Sequence, residues 1–154
     1  MIDFVTEDDP RVLALRAAMG DEMAVLYGRP RHGGVPAEQI DPDSVVATVV
    51  VTNTADEPIA TAALRRMGED VEVKRMFIVA EERGTGLADR MLDVMEEKAA
   101  EIGAARVLLH TGERQKAALT LYRRRGYVEI PIFEPYHDVP ESVCFARPVD
   151  DVTP

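Results

Sequence analysis

The stretch richest in chemistry is Val79-Ala80-Glu81-Glu82-Arg83-Gly84-Thr85-Gly86-Leu87-Ala88. It joins a run of strand-forming residues to a run with helical periodicity. Its two glycines let the backbone turn sharply and come close to a ligand. The helix that follows opens with unpaired N–H groups at the positive end of its dipole. Such a turn binds anions, a diphosphate above all, and Arg83 adds a full charge. A plain strand-to-helix connection has the same local pattern, so neighbouring residues must decide between them. The Rossmann fingerprint Gly-x-Gly-x-x-Gly does not fit, because Asp89 stands at the third position and His110, not an acid, ends the next strand. A Walker loop needs Gly-Lys-Ser/Thr, which the chain lacks.

Other chemistry-bearing residues are few. Glu72 interrupts an otherwise apolar strand, where a carboxylate must be partnered or functional; its obvious partners are Lys74 on the same face and Arg75 or another basic group across the sheet. His110 ends a short apolar strand and has a side chain that titrates near neutrality. Either can equally be structural, as one half of an ion pair or as a polar strand end. The histidines His32, His110 and His137 and the single cysteine, Cys144, show no zinc-ligand spacing, so no metal is expected. Ser44 and Ser142 lie outside any Gly-x-Ser-x-Gly, which gives a serine hydrolase no support. Cys144 sits in an apolar strand and reads as a buried thiol.

The elements that must position these residues can be read along the chain. Ile2 to Thr6 predicts a strand, and Pro10 opens a helix that ends near Gly28. Arg29 to Pro36 reads as loop, with a short helix at Ala37 to Ile40. Val45–Thr52, Ile59–Met67 and Val71–Val79 predict three strands joined by tight turns, hence an antiparallel meander. From Gly84 to Ile102 the residues Leu87, Met91, Leu92, Met95 and Ala99 recur on one helical face, with Gly103 as the stop. Ala105–Leu109 is a strand, Lys116–Arg125 a helix, and Tyr127–Ile132 and Ser142–Arg147 the closing strands. The fold class is α+β, in one domain over residues 1–149 with a tail at 150–154.

Composition narrows the function classes. The 154 residues suit a single domain, and 46% hydrophobic with 30% charged residues is the balance of a soluble globular protein. No export signal or apolar run of membrane-spanning length is present, which predicts a cytoplasmic location. The net charge of -10 argues against nucleic-acid or anionic-membrane partners. Between Arg83 and Arg125 lie nine Lys and Arg against six Asp and Glu; the remainder carries nine against 22. The basic stretch suits a cofactor phosphate, and the acidic remainder favours a cationic substrate.

Two signatures, taken together and in order, carry a family resemblance. Arg83, Gly86 and Ala88 match Gln/Arg-x-x-Gly-x-Gly/Ala, and Ala118-Leu119-Thr120-Leu121-Tyr122-Arg123-Arg124-Arg125-Gly126-Tyr127 matches Ala-x-x-Leu-Tyr-x-x-x-Gly-Phe/Tyr. The chain thereby resembles the GNAT superfamily of N-acetyltransferases, and Glu72-Val73-Lys74-Arg75-Met76-Phe77 resembles a branch of small bacterial members of largely unassigned substrate. The resemblance implies a mixed, mostly antiparallel seven-stranded sheet with about four flanking helices, splayed between the fourth and fifth strands. It implies acetyl-CoA as co-substrate and an amine acceptor. Phe77, Ile78 and Val79 would pair with the pantetheine arm, and the backbone of Arg83, Gly84, Thr85, Gly86, Leu87 and Ala88 would hold the diphosphate. Gln115 stands where the family usually has Asn, so its part in CoA binding is open; Ala118 belongs to the second signature. Tyr122 aligns with the tyrosine that protonates the departing thiolate, a task suited to a phenol. Glu72, His110 or a water chain would accept the ammonium proton. Tyr136 and His137 lie in a loop of the kind that lines acceptor pockets. A homodimer is compatible with exposed edge strands, and a non-catalytic acyl-CoA sensor is the rival reading.

Overall fold

The computed structural model describes residues 1–28 and 41–149. The short helix expected at Ala37 to Ile40 and the tail from Asp150 lie outside them. In chain order the elements are β1 (Ile2–Phe4), α1 (Pro10–Tyr27), β2 (Val45–Thr52), β3 (Pro58–Met67), β4 (Asp70–Ile78), α2 (Leu87–Glu101), β5 (Arg106–Gly112), α3 (Lys116–Arg124), β6 (Val128–Ile130) and β7 (Ser142–Pro148). The described residues thus hold three α-helices, where about four were expected across the whole chain.

Local sequence explains the boundaries. Asp9 caps α1 by accepting from the Arg11 N–H at 2.9 Å, and Pro10 fills the first helical position, where no N–H is needed. Gly28 closes α1 in the left-handed conformation, φ 62°. The sheet runs β1-β2-β3-β4-β5-β7-β6, and among the described residues its only parallel neighbours are β4 and β5, joined by the α2 crossover. β4 alternates its side chains between the two faces. Val71 and Val73 enter a core with Met91, Leu92 and Met95 of α2 and Leu119 and Tyr122 of α3. On the opposite face Phe77 packs with Val12 and Leu15 of α1.

Two irregularities shape β4. Its parallel ladder with β5 covers only Val71↔Val107, Glu72↔Leu108 and Val73↔Leu109. Beyond it β4 continues to Ile78 and β5 to Gly112 without pairing to each other, which is the expected splay. On its other edge, the register with β3 slips between Thr61↔Phe77 and Ala63↔Lys74. The extra residue lies in β4, where Arg75 adopts φ 53°, a left-handed bulge in a residue that is not glycine.

Candidate active site

The glycine-rich loop follows β4 directly. A single turn at Ala80–Glu82 leads to Gly84 and Gly86, with φ 78° and 84°, before α2 begins at Leu87. L-residues other than glycine rarely accept those angles, which is why the turn needs both glycines. Thr85 donates its hydroxyl to the Glu82 carbonyl at 2.7 Å and braces the loop. Among the described residues, the N–H groups of Gly84, Thr85 and Gly86 have no backbone acceptor. Leu87 is buried beneath them and anchors the helix start. The Arg83 side chain turns away from this cradle. It donates to the Ile78 carbonyl at 2.9 Å and to both oxygens of Glu22 on α1 at 2.7 Å, with its guanidinium over the Phe77 ring. Its charge is therefore shared with Glu22, and main-chain N–H groups are what the loop offers an anion.

Tyr122 lies on the α2–α3 face of the sheet. Its ring meets Phe145 edge-on at 5.8 Å and Tyr127 at 6.2 Å. Burial pushes its phenol up to about 12, so it keeps its proton across the physiological range. Gln115 precedes α3 at its N-terminus, and Ala118 lies partly buried in its first turns.

The end of α3 is tied to the start of α2. Arg124 and Arg125 donate to Asp89 at 2.9 and 3.0 Å, and Arg125 also reaches Asp93 at 2.7 Å. Below them Glu96 is buried on α2; it accepts from Tyr127 Oη at 2.6 Å and from Arg125, with Arg147 at 3.8 Å. Although it ends α3, Arg125 is not solvated: its side chain is only 13% exposed and forms a clamp. Sequence reasoning missed Glu96, although it lies four residues after Leu92 and therefore on the apolar face. The clamp fixes the helix that carries Tyr122 against the helix that follows the glycine loop.

On the α1 face, β4 carries Glu72 and Lys74. Glu72 is 1% exposed, accepts from Arg65 Nε at 2.6 Å, and accepts from Tyr136 Oη at 2.5 Å. Arg65 is its cross-strand partner on β3. Tyr136 stacks on His110 at 3.6 Å with rings 2° apart, and His110 Nε2 lies 2.8 Å from Ser142 Oγ. Burial, assisted by Lys74, lowers His110 to about 4, so its ring is neutral at pH 7. Of the two loop residues expected on the acceptor side, Tyr136 is buried here and His137 is exposed, bonded to Glu134. Cys144 is fully buried, and burial pushes its thiol up.

A seven-stranded sheet opened between a parallel strand pair, with a glycine loop at the end of the opened strand, defines the GNAT fold. The acetyltransferase (GNAT) family model matches residues 17–127, and the chain belongs to that family. It is 36% identical over 78 residues to an IAA acetyltransferase of Azospirillum brasilense, a match covering 51% of each chain. The chain thus spans about half the length of that curated relative. It superposes on a structure described as an acyl-CoA N-acyltransferase from Klebsiella pneumoniae subsp. pneumoniae with a TM-score of 0.82 and 27% identity over 97% of both chains. A Bacillus subtilis acetyltransferase solved in complex with CoA shares the fold, with a TM-score of 0.67 and 16% identity over 96% of this chain and 97% of that one. No helix among the described residues is long and apolar enough to cross a membrane.

Proposed function

We propose that the protein transfers acetyl from acetyl-CoA to a primary amine by direct attack. The observation that carries this reading is the β4–β5 splay flanked by two unlike walls: glycine-loop amides and Tyr122 on one side, and a polar cluster built on Glu72, Lys74 and His110 on the other. Acetyl-CoA supplies an activated thioester. The free backbone edge of Phe77, Ile78 and Val79 extends the pantetheine arm as a strand would, and a β4 N–H polarises the thioester carbonyl. Amides from Gly84 to Ala88 hold the diphosphate, the Arg83 N–H being given to the Ala80 carbonyl at 3.2 Å, with Gln115 and Ala118 beside the arm. Tyr122 supplies a proton as thiolate charge develops. With its phenol at about 12 it acts by a hydrogen bond that strengthens along the reaction, not by prior ionisation.

The acceptor ammonium loses its proton through water toward Glu72. Both Glu72 oxygens are engaged, by Arg65 and Tyr136, so direct contact with the amine would require Tyr136 to move. His110, lowered to about 4, is a weaker base than an ordinary imidazole. The test is thiol release from acetyl-CoA against a panel of amines, with Tyr122→Phe beside the wild type. Turnover should fall by about 10²-fold or more, the scale of a lost general acid, while CoA affinity by calorimetry stays unchanged. Equal turnover would remove Tyr122 from the chemistry, and heat with CoA but no turnover on any amine would favour a sensor.

A further inference from the structure

Among the described residues, the α1 face of β4 carries more positive charge than the carboxylates there neutralise. Four cations meet there: Arg16 of α1, Arg65 of β3, and Lys74 and Arg75 of β4. Two carboxylates face them. Glu7 takes Arg16 at 2.6 Å and accepts from Thr48 Oγ1 at 2.5 Å. Glu72 takes Arg65 at 2.6 Å. Lys74, 7% exposed, and half-buried Arg75 have no hydrogen-bond or ion-pair partner among the described residues. Arg65 Nη2 is also buried without an acceptor, though Arg65 as a whole is only 8% exposed.

A buried cation without a partner is costly, and Arg75 adds the strain of a left-handed bulge in a non-glycine residue. Both residues lie where β4 has just left its ladder with β5, on the face opposite Tyr122. Surplus donors at that mouth have one evident use, which is to receive an anion carried by the molecule that approaches the thioester from this side.

Building on the acetyltransferase reading, the geometry points to an acceptor that is an amino-carboxylate, its carboxylate held by Lys74 and Arg75 while its amine faces the splay. Arg65 Nη2 is close at hand for the second carboxylate oxygen or a water on it. A diamine or polyamine would bring a second cation against the guanidinium groups of Arg16, Arg65 and Arg75 and would be repelled. The overall charge of -10 suggests the reverse, but it averages a whole surface, whereas recognition depends on charges within one screening length.

A bound carboxylate also changes the state of Lys74. Burial first, then Arg75, with Arg65 and Arg16 adding to it against the opposing pull of Glu72, lowers the ammonium to about 7. His110 on β5 and Tyr136 of the β6–β7 loop, both neutral at pH 7, complete the surroundings. An anion restores the charge, so binding near pH 8 should take up a proton.

The experiment compares the twenty L-amino acids, β-alanine and γ-aminobutyrate with their carboxamides, and with putrescine and spermidine, in a thiol-release assay. At least one amino-carboxylate should be acetylated with kcat/KM 10-fold or more above its carboxamide. Lys74→Gln and Arg75→Asn, the latter tolerant of positive φ, should raise KM for it by about 10- to 100-fold, the worth of a charge-assisted hydrogen bond. CoA affinity should change little, and either substitution should cost the amino-carboxylate at least 10-fold more in kcat/KM than it costs the carboxamide. Preference for carboxamides or polyamines, or KM unchanged in both variants, overturns the inference. CoA calorimetry separates the failures. Heat with CoA but no amino-carboxylate acetylated defeats this inference alone, and absence of heat defeats the acetyltransferase reading on which it rests.

Discussion

Tyr136 donates its hydroxyl hydrogen to Glu72 at 2.5 Å, joining the β6–β7 loop to the middle of β4 across 64 residues of chain. The bond makes Glu72 the centre of a buried group whose other member is Arg65. Burial and the neighbouring Glu72 raise the Tyr136 phenol far above its usual value, so it remains a donor at all working pH values.

Removing either end should have unequal effects. Glu72→Ala leaves the Arg65 charge buried and unpaired and should destabilise by about 3–5 kcal/mol. Tyr136→Phe deletes only one hydrogen bond to a charged group and should cost about 1.5–3 kcal/mol. Urea titration of both variants checks the order. A smaller loss in Glu72→Ala than in Tyr136→Phe would mean that Arg65 finds solvent when its partner is removed.

Gly86→Val should abolish CoA binding. A Cβ at position 86 meets nothing within 4 Å, so no clash with the protein is involved. The cost comes from φ 84°, which a β-branched residue resists by about 1–3 kcal/mol. The loop would relax and misdirect its amides. Calorimetry with CoA should show no heat, while the melting temperature falls by only a few degrees. Wild-type affinity would refute diphosphate binding by this loop.

Glu96→Gln tests the clamp between α2 and α3. The change leaves Arg125 and Arg147 with less compensation in a buried setting, and about 3–5 kcal/mol of stability should be lost. Because the clamp positions the helix bearing Tyr122, kcat should fall in the surviving folded protein at temperatures where it is more than 95% native, a threshold of about 1.8 kcal/mol. Full stability in the variant would show that Tyr127 and Arg125 re-pair without the carboxylate.

His110 predicts a pH signature. Its folded value of about 4 lies below the ordinary 6.5, so the unfolded chain binds its proton first as pH falls. Stability is therefore full above about pH 6.5, declines between 6.5 and 4, and levels off below. The depth is roughly 3 kcal/mol at most, from 1.36 kcal/mol per pKa unit. Carboxylates such as Glu7, Glu22 and Asp89, whose values are lowered by arginine partners, lose stability at lower pH. The diagnostic is hence the difference between wild type and His110→Gln, measured by urea melts from pH 7.5 to 5. A constant difference would show that His110 is not buried neutral.

What the sequence revealed and what it hid divide along physical lines. The elements rest on local causes: Pro10 and Gly28 bound α1, alternation and turn residues bound β2 to β4, and Gly84 and Gly86 mark a turn that only glycine makes easily. Those are short-range effects and read directly. Arg83 was expected to lend its charge to a phosphate, but it pairs with Glu22, 61 residues earlier, and no local pattern announces such a partner. Likewise the sequence offered Glu72 a choice of Lys74, Arg75 or another basic group across the sheet, and it is Arg65, directly opposite on β3, that takes that place. Cross-strand register chose between them, and register is a tertiary fact.

The three-pair ladder between β4 and β5 has one more consequence. The sheet behaves like a book whose spine is stitched only near one end, with β1 to β4 as one leaf and β5, β7 and β6 as the other. Anything that lies along the open edge of β4 adds stitches. The leaves should then breathe less, and amide exchange at Ile78, whose N–H alternates away from β3, should slow far more than at Val71, whose strand is already bound on both sides.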